Sequence, residues 1–190
     1  MKSIIKYNIK SIAVISLIAM LFSCENDTKK VRDFLMDKNL PIGVAKDVDH
    51  IHKDSGKVTS KLVTPLLLDF SNRKEHPYNE FPKGIRIVSY DKNKKDSTLI
   101  IGDYALTYAR TRVSEIKGNV VVYNYTNGRR LETNQLFWDQ REKYFFTEDG
   151  FRVTSTKDTI SGYGFESKQD LSAWIMKDIT GEIEVNKESL

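Results

Sequence analysis

The 190-residue chain has one cysteine, Cys24, so no internal disulfide staples it. It has no Gly-x-Ser-x-Gly, no His-Glu-x-x-His and no glycine-rich phosphate loop, so the usual frameworks for acyl transfer, zinc proteolysis and nucleotide binding are missing. It has no long apolar run. The stretch from Ile12 to Phe22 is shorter than the roughly 20 residues that a bilayer span takes. Charge of one sign is not in excess either: 30 Lys and Arg stand against 26 Asp and Glu, a net +4 of mixed sign that gives no nucleic-acid footprint. From Val44 onward there is no helical period.

What is present begins with an address. Lys2, Lys6 and Lys10 precede the short apolar run, with no acid among residues 1–11. A positive stretch followed by a short apolar core is the pattern of an export signal. It ends in Leu21-Phe22-Ser23-Cys24, an apolar residue three before the cysteine and a small one just before it, which looks like a bacterial lipobox. Residues 1–23 are therefore expected to be a lipoprotein-type signal peptide, with Cys24 the lipidated residue and 24–44 a polar tether. A cysteine so used is not free for thiol catalysis. Within the tether, Phe34 to Asn39 suits a short helical turn that Pro41 ends.

The rest reads as strands. Nine Tyr, nine Phe and two Trp favour sheet. Alternation or β-rich composition marks 57–64, 66–70, 85–90, 98–101, 120–124, 130–133, 151–155 and 183–185 as strands. Turn residues separate them at Asp54-Ser55-Gly56, Asp91-Lys92-Asn93, Thr126-Asn127-Gly128 and Glu148-Asp149-Gly150. Aligned on the glycine that opens an alternating strand, Gly84, Gly118, Gly150 and Gly181 recur at intervals of 34, 32 and 31 residues. A second strand and an aromatic stretch follow in each unit, so that Trp138 and Trp174 fall at similar places. Such a period signals stacked supersecondary units that bury their apolar faces only against neighbours. The expected fold is all-β, a jelly-roll or two-sheet sandwich of roughly 32-residue strand–turn–strand repeats with an apolar lumen, over residues 45–190. Its end strands are open edges suited to pairing with other strands.

Alternation selects Val58, Leu62, Leu66, Leu68, Ile85, Ile87, Leu99, Ile101, Val120, Val122, Leu131, Phe151, Val153 and Ile160 as the inward set. A slip of one residue exchanges the faces, and the same set also suits a closed core. His50 and His52 share a strand face near Asp47 and Asp49, but His76 is isolated and no third ligand has zinc spacing. Neither a metal nor another cofactor is expected. Asp103, Glu115, Glu132 and Asp139 are scattered and read as solvated surface.

These residues resemble a known family. Gly118-Asn-Val-Val-Val, followed by the segment from Asn127 to Asp139, is similar to the repeat of lipopolysaccharide-transport (Lpt/OstA-like) β-jelly-rolls. The hairpin from Asp54 to Pro65, with Pro77 to Gly84 and Gly162 to Leu171, resembles the LptC branch. The resemblance spans about residues 44–185. It implies a periplasmic protein held at the inner membrane by its N-terminal anchor, not an enzyme, that accepts lipopolysaccharide from an ABC transporter and passes it to an LptA-like bridge protein. It also implies that the hairpin bearing Gly56 lies on the transporter side. A lipobox where many relatives keep a membrane-spanning helix is the one departure. The alternative is a structural envelope lipoprotein that only scaffolds other proteins.

Overall fold

The computed structural model describes residues 28–90, 97–156 and 158–180. The expected signal peptide, Cys24, the turn at Asp91 to Asn93, the repeat at Gly181 and the strand at 183–185 lie outside these residues. The chain divides into two compact units, residues 1–34 and 35–190.

Helix α1 runs from Thr28 to Asp37, earlier and longer than the turn expected inside a polar tether. Its end is a Schellman closure. Asn39 takes φ 56° and donates to Met36 O, while Leu40 N donates to Leu35 O. Arg73 fixes this end by donating to Met36 O and to Asn39 Oδ1, its guanidinium lying over the Phe70 ring.

Eleven strands follow: β1 Gly43–Asp54, β2 Lys57–Phe70, β3 Tyr78–Phe81, β4 Ile85–Tyr90, β5 Ser97–Gly102, β6 Tyr104–Tyr108, β7 Val113–Asn124, β8 Arg130–Asp139, β9 Tyr144–Thr154, β10 Thr159–Lys168 and β11 Trp174–Thr180. All pair antiparallel in one sheet. β3 and β4 are two halves of one pass; they pair with β6 and β5, the halves of the next. The described chain is thus a meander in which each pass pairs with the one before it. Among the described residues β1 pairs only with β2, and β11 only with β10.

Most long passes bend midway. The bends fall at Thr64–Leu66 in β2, between β3 and β4, at Gly102-Asp103, between Lys117 and Val120 in β7, between Thr133 and Phe137 in β8, between Thr147 and Gly150 in β9, and between Tyr163 and Phe165 in β10. The inward parity slips by a residue at the bends in β2, β8 and β10 and at Gly102-Asp103, whereas in β7 Ser114, Ile116, Val120 and Val122 are buried with one parity throughout. The half of each pass on either side of the bend belongs to one of two layers, and one core cluster joins them. Ile116 from one layer and Val122 from the other are both fully buried in it. The fold is all-β and jelly-roll-like, as the repeat implied.

The repeat itself marks something other than strand starts. Gly118 and Gly150 lie inside β7 and β9, and Gly84 lies between β3 and β4, at the bends. The period is two passes long, one glycine corner on every second pass. At Gly84 the corner demands glycine twice over: φ is +84°, and a Cβ would stand 2.9 Å from the Gly102 carbonyl oxygen.

Candidate functional site

Partners across a ladder share a face, so the register settles which side chains point between the layers. One row runs unbroken across seven strands: Leu62, Ile87, Ile100, Val122, Leu131, Val153 and Ile160. Six of these belong to the expected inward set. Val120 and Phe151 stand in the next row towards the bend, both directly opposite Thr133. Val58 and Ile85 keep the parity of Leu62 and Ile87 on their own strands.

Four expected members lie on the opposite face and are corrected. Leu99 pairs with Val88 and Tyr123, and Ile101 with Arg86 and Val121, in rows that also hold Lys61 and Arg130. The inward residue of β5 is Ile100, fully buried. Leu99-Ile100-Ile101 is an apolar run without alternation, so nothing in it distinguishes the faces. Leu66 and Leu68 are displaced by the slip at Pro65, which has no N–H for the ladder. Past it, Leu68 pairs with Glu80, and Leu67 is the side chain packed against the core.

Towards the ends of the strands the inward face changes character. The row beyond Leu62, Ile87, Ile100 and Val122 is Ser60, Ser89, Thr98 and Asn124. Asn124 donates to Thr98 Oγ1, and its own Oδ1 accepts from Thr126 N and Asn127 N. The interior therefore grades from apolar near the bend to hydroxyl and amide at the rim.

At β7–β11 the rim is closed. The loop Gln169–Ala173 folds Leu171 fully into the core. Gln169 accepts from Trp138 Nε1 and donates to Ser89 Oγ at 2.7 Å, bridging the two layers. Arg129 donates to the Leu171 and Ser172 carbonyls and lies 4.4 Å from the Trp174 ring centroid. Trp138 and Trp174 share one inward row through Phe145 and Ser167, as core positions would.

Towards β1 and β2 the rim is open. A cavity of about 780 Å³ lies between the layers, walled by Val58 and Ser60 with Ser89 on one side and by Arg112, Trp138 and Gln169 on the other. The β1–β2 hairpin overhangs it. Ser55 and Gly56 take φ of 49° and 77° in a two-residue turn between Asp54 and Lys57, which accounts for the glycine there. Sequence reasoning missed this mouth because its walls come from strands far apart in the chain.

His50 and His52 pair with Leu62 and Ser60 on the inward face of β1, whereas Asp49 pairs with Lys61 in a 2.8 Å salt bridge on the other face. Among the described residues no group of three or more His, Cys, Asp or Glu is placed to hold a metal. The acids considered from sequence serve local structure: Asp103 accepts from Asn119, Glu115 from Gln135, Glu132 from Arg130, and Asp139 from the backbone of Arg141 and Glu142. Among the described residues no helix is long and apolar enough to cross a membrane.

A family model described as lipopolysaccharide-assembly, LptC-related, matches residues 11–176 of the chain. No curated protein matches it.

Proposed function

Because the chain belongs to the LptC-related lipopolysaccharide-assembly family, and so has a part in lipopolysaccharide transport and assembly, we propose that it is a periplasmic carrier without covalent chemistry of its own. It accepts lipopolysaccharide from an inner-membrane ABC transporter and hands it to an LptA-like bridge protein. Diacylglycerol on Cys24 holds it to the inner membrane. The β1 side, with the Gly56 hairpin, faces the transporter; the β11 edge pairs with the bridge. ATP hydrolysis in the transporter gives the direction.

The observation that supports this reading is the inward face itself: a continuous apolar row that grades into a polar rim and opens at the β1–β2 side. An acyl chain of about a dozen methylenes left in water costs on the order of 10 kcal/mol, at about 0.8 kcal/mol per CH₂. A carrier through an aqueous compartment must cover that surface, and a trough lined by Val58, Leu62 and Ile87 next to an open mouth offers the cover.

Photo-crosslinking in cells tests it. A photoreactive residue goes at Leu62, Ile87, Val122 or Val153, with Lys61, Arg86, Leu99 and Ile101 as controls on the opposite face. Adducts that stain for lipopolysaccharide at the first set and not at the second are expected. Protein adducts alone at edge positions, with no lipid at any site, replace the carrier with the scaffold reading.

A further inference from the structure

We infer that the mouth beneath the β1–β2 hairpin is a binding site for the phosphorylated head group of the amphiphile whose chains occupy the trough. This rests on the carrier reading and adds to it a recognition site that the apolar interior does not supply.

The cavity wall carries Lys53, Lys57, Arg112 and Lys143. Lys53 and Lys57 flank the hairpin turn on one layer. Arg112 and Lys143 stand in the turns before β7 and before β9 at the end of the other. Among the described residues none of the four is ion-paired. Asp54 is the carboxylate on this wall, and it accepts the Ser55 hydroxyl. An adjoining pocket that shares Lys143 adds Lys168 together with Glu142 and Asp170. The main mouth therefore keeps an excess of cations, spread over both layers.

The order of chemistry along the trough matches an anionic amphiphile. Leu62 and Ile87 lie deepest, Ser60 and Ser89 come next, and the cations stand at the opening. Separated cations lining one cavity repel one another when it is empty, and that repulsion is relieved when a dianionic phosphate enters. Donors from charged groups bind such oxygens more strongly than neutral ones do. The basic residues on the outer face do not share this place: Lys83 and Arg86 line a separate pocket by Pro65, and Arg130 and Arg152 another near Gly150.

Trp138 is part of the cavity wall and reports on its occupancy. In the full chain with Trp174→Phe, its emission is followed against three probes. These are phosphorylated lipopolysaccharide, the same lipid after phosphatase treatment, and inorganic phosphate alone. The phosphorylated lipid is expected to bind about tenfold tighter than the treated one. Replacing Lys53, Lys57, Arg112 and Lys143 by Gln is expected to abolish that difference while leaving the affinity for treated lipid unchanged. Replacing Arg86 and Arg152 by Gln on the outer face is expected to preserve it.

Equal binding of the two lipids by the unmodified mouth overturns the head-group site and leaves the carrier standing, whether or not the fourfold variant folds. Binding of neither lipid removes the carrier reading, and this inference with it. Inorganic phosphate saturating the signal at the lipid's own concentrations overturns the lipid assignment in favour of a free-phosphate site.

Discussion

The Thr64 hydroxyl reaches across the bend to donate to the Gly84 carbonyl at 2.8 Å. Four passes further on the device recurs: Thr133 donates to Gly150 at 2.9 Å. Both threonines are buried, and each hydroxyl oxygen also lies close to a carbonyl two residues ahead in its own strand, Leu66 at 3.0 Å and Gln135 at 3.2 Å. A bent strand loses ladder hydrogen bonds, and the buried hydroxyl supplies a donor to a carbonyl at the bend. Thr64→Val keeps the shape and removes the donor. It is expected to lower stability by about 1–3 kcal/mol, the cost of a buried unsatisfied group, and Thr133→Val by a similar amount. Urea denaturation of each variant gives the number; an unchanged midpoint in both removes the strap from the account of the fold.

Two glycines separate strain from overlap. Gly84 and Gly128 both take positive φ, 84° and 67°. A Cβ at Gly128 meets nothing closer than Thr156 Cγ2 at 3.8 Å, whereas one at Gly84 stands 2.9 Å from the Gly102 carbonyl oxygen. Gly128→Ala therefore carries the left-handed backbone cost alone, about 1–2 kcal/mol. Gly84→Ala carries that cost plus a clash with backbone that cannot move without opening the β4–β5 ladder. The second variant is expected to be clearly the less stable in the same titration.

These corners show what the sequence could and could not disclose. The interval from Gly84 to Gly118 to Gly150 is legible as a repeat, and it correctly implies stacked all-β units. Its meaning as a row of bends is not legible, because a strand that crosses a bend and two strands separated by a turn leave the same composition. Leu62, Ile87, Val122, Leu131, Val153 and Ile160 are found by alternation because polar neighbours flank most of them. Leu99 and Ile101 are misplaced because Ile100 between them is equally apolar. β3, only four residues long at Tyr78–Phe81, passes unnoticed; of β1 only a strand face at His50 and His52 is read, because its polar residues carry no apolar rhythm. The loop that carries Leu171 reads only as part of an aromatic stretch, since its role depends on Arg129 and Ser89, which no local pattern connects to it.

Tyr104 links the fold to pH. Its hydroxyl donates to Glu80 at 2.9 Å. Burial first, and then the bond to the Glu80 carboxylate, raise the phenol well above its ordinary value of 10.0. The folded state thus holds a proton that the unfolded chain releases above pH 10, so this stabilisation is complete below pH 10 and fades as pH rises towards the folded value. Tyr104→Phe is expected to be less stable than the parent near neutrality, with the gap narrowing above about pH 10. Denaturation midpoints of both proteins at about pH 8 and about pH 10.5 test this. A gap that stays constant or widens contradicts it.

Leu171 closes the β7–β11 side of the rim, and its backbone explains why the closure is secure. It sits at φ 55°, a conformation rare for a branched side chain, yet its side chain is fully buried and its carbonyl lies 2.7 Å from Arg129 Nη1. Burial and the Arg129 strap together offset the backbone cost. Leu171→Ala is expected to cost about 2–5 kcal/mol, as other buried leucine truncations do. Arg129→Gln loosens the loop without removing apolar surface, so it is expected to cost less. If the trough carries acyl chains, both variants also shorten the residence of bound lipid, because each weakens the closed side. The off-rate of lipopolysaccharide from each variant, set beside its urea midpoint, distinguishes two roles for the loop. A faster off-rate in Arg129→Gln with a nearly unchanged midpoint identifies it as a gate on the lipid path, and an off-rate that changes only in step with stability identifies it as part of the core.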